Sequence, residues 1–203
     1  MINVSTYIQQ FKALFHELEQ ETPWEITQAA ALIIAKRIKT LNKDYKIENN
    51  VAIHKDAHVE QGAILKGPII VSEGCFVASN AYLRNGVFLD SKVNIGPGCE
   101  VKSSYIFSNS SIAHFNFVGD SILGSYVNLE AGAIIANHFN ERSDRMISVV
   151  VGGNSMSTDV EKFGALIGDY SKIGANAVLS PGSILMTKTV VKRLELIDQT
   201  IAN

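Results

Sequence analysis

Aromatic residues are scarce in this chain, at 8% of 203 residues, although hydrophobic residues of all kinds reach 46%. Any core must therefore be built mainly from aliphatic side chains. An excess of one charge is also missing: Lys and Arg total 18 against 20 Asp and Glu, a formal net charge of -2. Such a chain lacks the basic footprint of a nucleic-acid binder. With four prolines and 15 glycines it is neither collagen-like nor a Pro-rich disordered chain. Cys75 and Cys99 are the only cysteines, and Met1–Gln20 holds no secretory leader, so reduced thiols in a cytoplasmic protein are expected. The apolar stretch Ala29–Ala35 falls well short of the ~20 residues of a membrane span. The length suits one domain with an appendage.

What the chain does have is a period of six. Eleven hexads run without a gap from Val51: VAIHKD, AHVEQG, AILKGP, IIVSEG, CFVASN, AYLRNG, VFLDSK, VNIGPG, CEVKSS, YIFSNS and SIAHFN. Their third residue is always apolar, from Ile53 and Val59 through to Phe107 and Ala113. FVGD at 117–120 breaks the frame; three hexads follow it and four more follow a gap, beginning at Ala165. In a short strand, positions 1 and 3 point to one side and position 2 to the other. The turn that follows takes Gly, Asn, Asp or Ser, which tolerate positive φ. A single hexad cannot bury its apolar side, so hexads must stack into a solenoid. If three hexads make a coil, Cys75 and Cys99 lie on different faces and cannot bridge. The outward positions Ala52, Ile70, Phe88 and Ile106 then form an apolar stripe that something must cover.

Residues 1–50 do not repeat. Ile8, Phe11, Leu14, Phe15 and Leu18 have helical spacing. Thr22-Pro23 reads as the cap and first residue of a second helix through about Leu41. A helical hairpin on the solenoid end, or one that mediates assembly, is expected. Residues 139–164 leave the hexad frame as an inserted loop, and 189–203 read as a tail. The expectation is a mainly β chain of about six coils over 51–188 with an N-terminal helical segment.

Lys66, Arg84 and Lys102 recur at hexad position 4, so they stack on one edge. Like charges at that spacing repel, and an anion beside them would relieve the repulsion; solvated turn lysines are the plainer alternative. His114 is a candidate proton acceptor or a structural histidine. Three converging ligands are lacking, so no metal is expected. Both cysteines face the core, and no G-x-S-x-G elbow, Walker A or dinucleotide fingerprint occurs.

The repeat resembles the hexapeptide-repeat acyltransferases, whose fold is a left-handed parallel β-helix. LRNG, CEVKSS and SIAHFNFVGDSILGSYVNLEAGAIIANHF together resemble the acetyltransferase domain of the bifunctional N-acetylglucosamine-1-phosphate uridylyltransferase/glucosamine-1-phosphate acetyltransferase family. Its H-x-x-[YF]-x-G-D and N-x-x-A-G-x-I-x-x-N elements are specific. The resemblance implies that His114 is the general base and that Asn137 lies at the reaction centre. Arg84, Lys102 and Lys162 would hold a sugar phosphate, with Phe117, Asn128 and His138 also lining the substrate. Ala165 and Ala175 would lie near coenzyme A. It also implies a homotrimer with sites between neighbouring solenoids. Phe117 and His138 stand where the family has tyrosines, Ala175 where it has serine, and the uridylyltransferase domain is replaced by helical residues.

The expected activity is acetyl-CoA-dependent N-acylation of a phosphorylated or nucleotide-linked amino sugar. The alternatives are an acyl-carrier-protein-dependent sugar-nucleotide acyltransferase and a non-catalytic sugar-phosphate-binding subunit. The expected partners are an amino-sugar phosphate and acyl-CoA, with neither nucleic acid nor a membrane span.

Overall fold

The computed structural model describes residues 2–199. Its strands form a three-faced parallel β-solenoid. One face stacks His58–Val59, Phe76–Val77, Asn94–Ile95, Ser111–Ile112, Asn128–Leu129, Lys172–Ile173 and Val190–Val191 in a seven-stranded sheet; it is face two. Face three follows each of these strands in the chain and includes Ile64–Lys66, Phe117–Gly119, Ile134–Ile135, Val178–Leu179 and Leu196–Ile197. Face one includes Val51–His54, Ile69–Val71, Ile122–Leu123, Ala165–Ile167 and Ser183–Leu185. Two longer strands, Tyr82–Leu89 and Glu100–Ile106, turn the corner from face three to face one.

Seven strands on face two mean seven coils, one more than expected. The extra coil comes from the segment read as a tail: Val190–Val191 and Leu196–Ile197 pair in parallel with the coil before. Its hexads, TVVKRL and ELIDQT, keep the apolar third residues Val191 and Ile197 but have no Gly or Asn at the turn, which disguised them. Residues 200–203 lie outside the described residues.

The frame also slips earlier than FVGD. Leu89 pairs with Ile106 and Ile95 with Ile112, so Phe107 and Ala113 are not the inward residues. The units there are CEVKS, SYIFSN, SSIAHF and NFVGD. Two of them lose a residue, each where face three meets face one, and Ser103 and Asp120 make those turns with φ of 48° and 45°. As a result Ile106 joins the inner core, and Tyr105 takes its place in the outward stripe.

That stripe is covered by the chain's own N-terminus, along face one and not on the solenoid end. Ala52, Ile70, Phe88, Tyr105, Ile122, Leu166 and Ile184 are buried against Tyr7, Ile8, Phe11, Phe15, Trp24, Ile26 and Ile34. The Thr22 start is as expected: Glu25 accepts from the Thr22 N–H at 2.8 Å and from its hydroxyl at 2.6 Å. Ala29 (φ -85°, ψ 3°) then splits the expected helix into Pro23–Gln28 and Ala30–Ile38. Phe15 (φ -138°, ψ 48°) cuts the first helix to Phe11–Leu14. Its ring meets Phe88 and Tyr105 edge-on at 5.1 and 5.4 Å, and the Arg37 guanidinium lies 4.4 Å from its centre. Gly86 permits the close approach of the helix Ala30–Ile38, since a Cβ there would lie 2.4 Å from the Ala31 nitrogen.

The insertion is a hairpin of Ser148–Val151 and Asn154–Ser157. Phe139, Ile147, Val149 and Phe163 pin its base into the outer cluster. No helix among the described residues is long and apolar enough to cross a membrane.

Two outcomes follow from this packing. Phe15→Ala removes a fully buried ring and should lower stability by ~3–5 kcal/mol in denaturant titration. Cys75 and Cys99 are free and buried. Burial pushes the Cys75 thiol up to about 12 and raises Cys99 as well. Neither should react with a thiol reagent at about pH 8 until denaturant is added.

Candidate functional site

The basic row forms as the repeat implies. Lys66 pairs with Arg84 and Arg84 with Lys102, at the ends of face-three strands. Two of its charges are answered within the chain. Arg84 Nη2 lies 2.8 Å from Glu100 Oε1. Lys102 Nζ donates to Asp120 Oδ2 at 2.7 Å, with the two side chains only 12% and 7% exposed. Lys66 is exposed and sits 5.1 Å from the Tyr82 ring centre. The next residue in the row is Gly119. A Cβ on it would come within 2.8 Å of the Phe117 ring and 2.9 Å of Asn137 Cγ. The row therefore ends at a glycine over which the Phe117 ring and the Asn137 amide pack closely, leaving no room for a side chain.

Asn137 occupies the same corner one coil further on. It is buried, and its Nδ2 donates to Asp120 Oδ2. Its Oδ1 lies 3.1 Å from Nδ1 of the exposed His138. The Phe163 N–H donates to the Asn137 carbonyl at 3.0 Å, which brings the neighbouring, exposed Lys162 to this corner. Lys66, Arg84, Lys102, Asn137, His138 and Lys162 thus share one edge of the solenoid, with Phe117 half-buried beside them on face three.

His114 is elsewhere. It lies at the opposite edge of face three, exposed, and its ring makes no hydrogen bond among the described residues. Asn116 fixes that turn by donating to the carbonyls of Glu130 and Ala133 at 2.7 and 3.1 Å. Asn128 points outward from face two, on a shallow cavity of about 520 Å³ that Lys172, Lys192 and Arg193 also line. Glu130 spans that cavity to Arg193 at 2.9 and 3.1 Å and accepts from the Ala175 N–H at 2.9 Å. The Arg193 contact holds its carboxyl below the usual carboxylate range. Ala165 is fully buried and donates its N–H to Ser121 Oγ at 3.0 Å. No group of three His, Cys, Asp or Glu among the described residues is placed to hold a metal.

One chain therefore gathers the basic row, Asn137 and His138 at one corner and leaves His114, Asn128 and Ala175 apart from it. Asp120 was not among the expected site residues, yet it ties Lys102 to Asn137. Its signal was the G-D that closes the histidine motif.

Comparison with known proteins bears on the family of the chain. A family model described as the GMPPB C-terminal domain matches residues 65–162. A bifunctional sugar-1-phosphate nucleotidylyltransferase/acetyltransferase of Sulfurisphaera tokodaii is 34% identical over 166 residues, 79% of this chain and 41% of its own. A bifunctional protein GlmU of Methanococcus maripaludis is 33% identical over 186 residues, and one of Methanocaldococcus jannaschii 33% over 188; each alignment covers 88% of this chain and 44% of the relative. This chain belongs to the hexapeptide-repeat acyltransferase family. It spans 41–44% of the length of these bifunctional relatives.

Within this hexapeptide-repeat solenoid, the Lys102–Asp120 pair carries a clear energetic expectation. Removing one partner of a mostly buried pair strands the other charge. Asp120→Leu should cost ~3–5 kcal/mol. The double variant Lys102→Met, Asp120→Leu should recover most of that loss in the same denaturant titration.

Proposed function

We propose that the chain is an acyltransferase that moves an acetyl group from acetyl-CoA to the amine of a phosphorylated or nucleotide-linked amino sugar. The observation that carries this reading is the corner itself. A row of cations leads to Gly119, where the Phe117 ring and Asn137 pack closely, and an oriented amide and imidazole stand at its end. An anionic small molecule could anchor its phosphate on Lys66, Arg84 and Lys162 and place an amine near Asn137 and His138. The cationic cavity of face two, with Lys172 and Lys192, suits the phosphates of coenzyme A.

The amine must be neutral to attack the thioester, and a base must take its proton as the C–N bond forms. In this reading His114 is that base. Since it lies across face three from Asn137, the working unit is a homotrimer in which the His114 edge of one copy meets the Asn137 corner of another. The exposed apolar residues Ile64, Val178 and Leu196 on face three, 51%, 37% and 61% exposed, suit such a covered surface. The cytoplasm, where acetyl-CoA is made available, is the compartment this reading requires.

A binding role without turnover is the second reading, favoured by Phe117, which lacks a hydroxyl where the family has one. Thiol release from acetyl-CoA across a panel of amino-sugar phosphates separates the two. Turnover supports transfer; tight sugar-phosphate binding with no thiol release supports the binding role. If transfer holds, His114→Ala should lower kcat by ~10²–10⁴-fold and leave the oligomer unchanged on sizing. Near-normal turnover in that variant would remove His114 from the mechanism.

A further inference from the structure

The hydrogen bonds around Asn137 can be read in one direction only. A carboxylate accepts and cannot donate, so Asp120 fixes the amide nitrogen of Asn137 toward itself. The amide oxygen is then the atom that faces His138 Nδ1 at 3.1 Å. A carbonyl oxygen also only accepts, so Nδ1 of the neutral ring must carry the hydrogen. That leaves Nε2 as the ring's unprotonated nitrogen. His138 is exposed, and it stands on the corner that carries the basic row. Asp120 is held in turn by Lys102 at 2.7 Å, with both side chains mostly buried. The chain Lys102, Asp120, Asn137, His138 thus runs from the interior to an imidazole presenting a lone pair at the proposed site.

We propose that His138 is a catalytic base of the transfer, positioned by Asn137 and Asp120. The inference rests on the acyl-transfer reading and adds a residue to it. An amino sugar arrives as an ammonium ion, and its nitrogen gives up two protons in R–NH₃⁺ + CH₃CO–S–R′ → R–NH–COCH₃ + HS–R′ + H⁺. Nε2 of His138 takes the first proton, which frees the nitrogen lone pair, and the exposed ring returns that proton to water. The lone pair then attacks the thioester carbonyl. As the C–N bond forms and the C–S bond breaks, His114 takes the second proton, which ends on the thiolate sulfur. Asn137 keeps its amide oxygen on the imidazolium Nδ1–H throughout.

Two measurements on the full chain test this. In long-range ¹H–¹⁵N spectra at about pH 9, where an ordinary imidazole is neutral, His138 should be the Nδ1–H tautomer. Its resonances are assigned by their loss in His138→Gln. The Nε2–H tautomer would overturn the arrangement. Asp120→Asn frees Asn137 to flip and should shift His138 toward Nε2–H; an unchanged tautomer in the folded variant would remove Asp120 from the relay. In steady-state assays with acetyl-CoA and the best amino-sugar phosphate, His138→Gln should lower kcat about 10²-fold and leave both KM values within about twofold. A raised KM with kcat intact would make His138 a binding residue and overturn the proposal. A wild-type chain that releases no thiol with any acceptor overturns the acyl-transfer reading and, with it, the base; the tautomer spectra then report on the relay's geometry by themselves.

Discussion

Each strand of the solenoid is two or three residues long on most rungs and sends only one or two side chains into the inner core, so no coil keeps its shape without the coils above and below it. The inward residue of each strand, such as Leu89, Ile106 and Leu123, must sit directly over the next. That alignment decides everything placed on the corners. When a unit loses a residue, the next strand can restore the alignment only if the corner tightens. Ser103 and Asp120 are where this happens, in a backbone conformation costly for most side chains but tolerated by short polar ones. The tight corner is what points Asp120 back at Lys102.

The same alignment explains where the rings went. The inner core is Ile, Val, Leu, Ala and Cys, because a narrow coil has no room for larger side chains. Phe11, Phe15, Trp24, Phe88, Tyr105, Phe107 and Phe163 collect in a second layer between face one and the N-terminal segment. The helices there are short and have few internal hydrogen bonds of their own, so their stability comes from this shared apolar surface. Face one is thereby closed to any partner, which leaves faces two and three to meet ligands or other copies.

Much of the solenoid was legible because a period of six in apolar residues has few other physical explanations. The positions of Lys66, Arg84 and Lys102 followed from it directly, as did the free cysteines. The one-residue slip after Lys102 was not legible. Phe107 and Ala113 are apolar too, so the wrong frame looked as good as the right one, and only strand pairing tells Tyr105 from Ile106. The last coil was missed for the opposite reason: its inward residues are regular, but Lys192, Arg193 and Leu194 stand where turn residues were sought. Contacts between side chains, such as Asn137 with Asp120, depend on corner geometry that no spacing rule encodes. His114 was readable as chemistry through resemblance, yet its separation from Asn137 within one chain becomes visible only once the faces are assigned.

The electrostatics of the corner revise the picture of a simple phosphate clamp. Lys102 is the most buried member of the row: its side chain is 12% exposed against 35% for Arg84, and its ammonium is spent on Asp120. Asp120 cannot readily release it, because the same carboxylate oxygen also receives Asn137 and would be left buried beside one weaker donor. In the proposed reading an incoming phosphate would therefore meet Lys66, Lys162 and an Arg84 already shared with Glu100, all of them more exposed and more strongly screened. Affinity for such an anion would be modest in that arrangement, and Lys102 acts chiefly by holding Asp120 in place. Charge that looks in the sequence like a binding device is used instead to fix the orientation of an amide, and through it an imidazole.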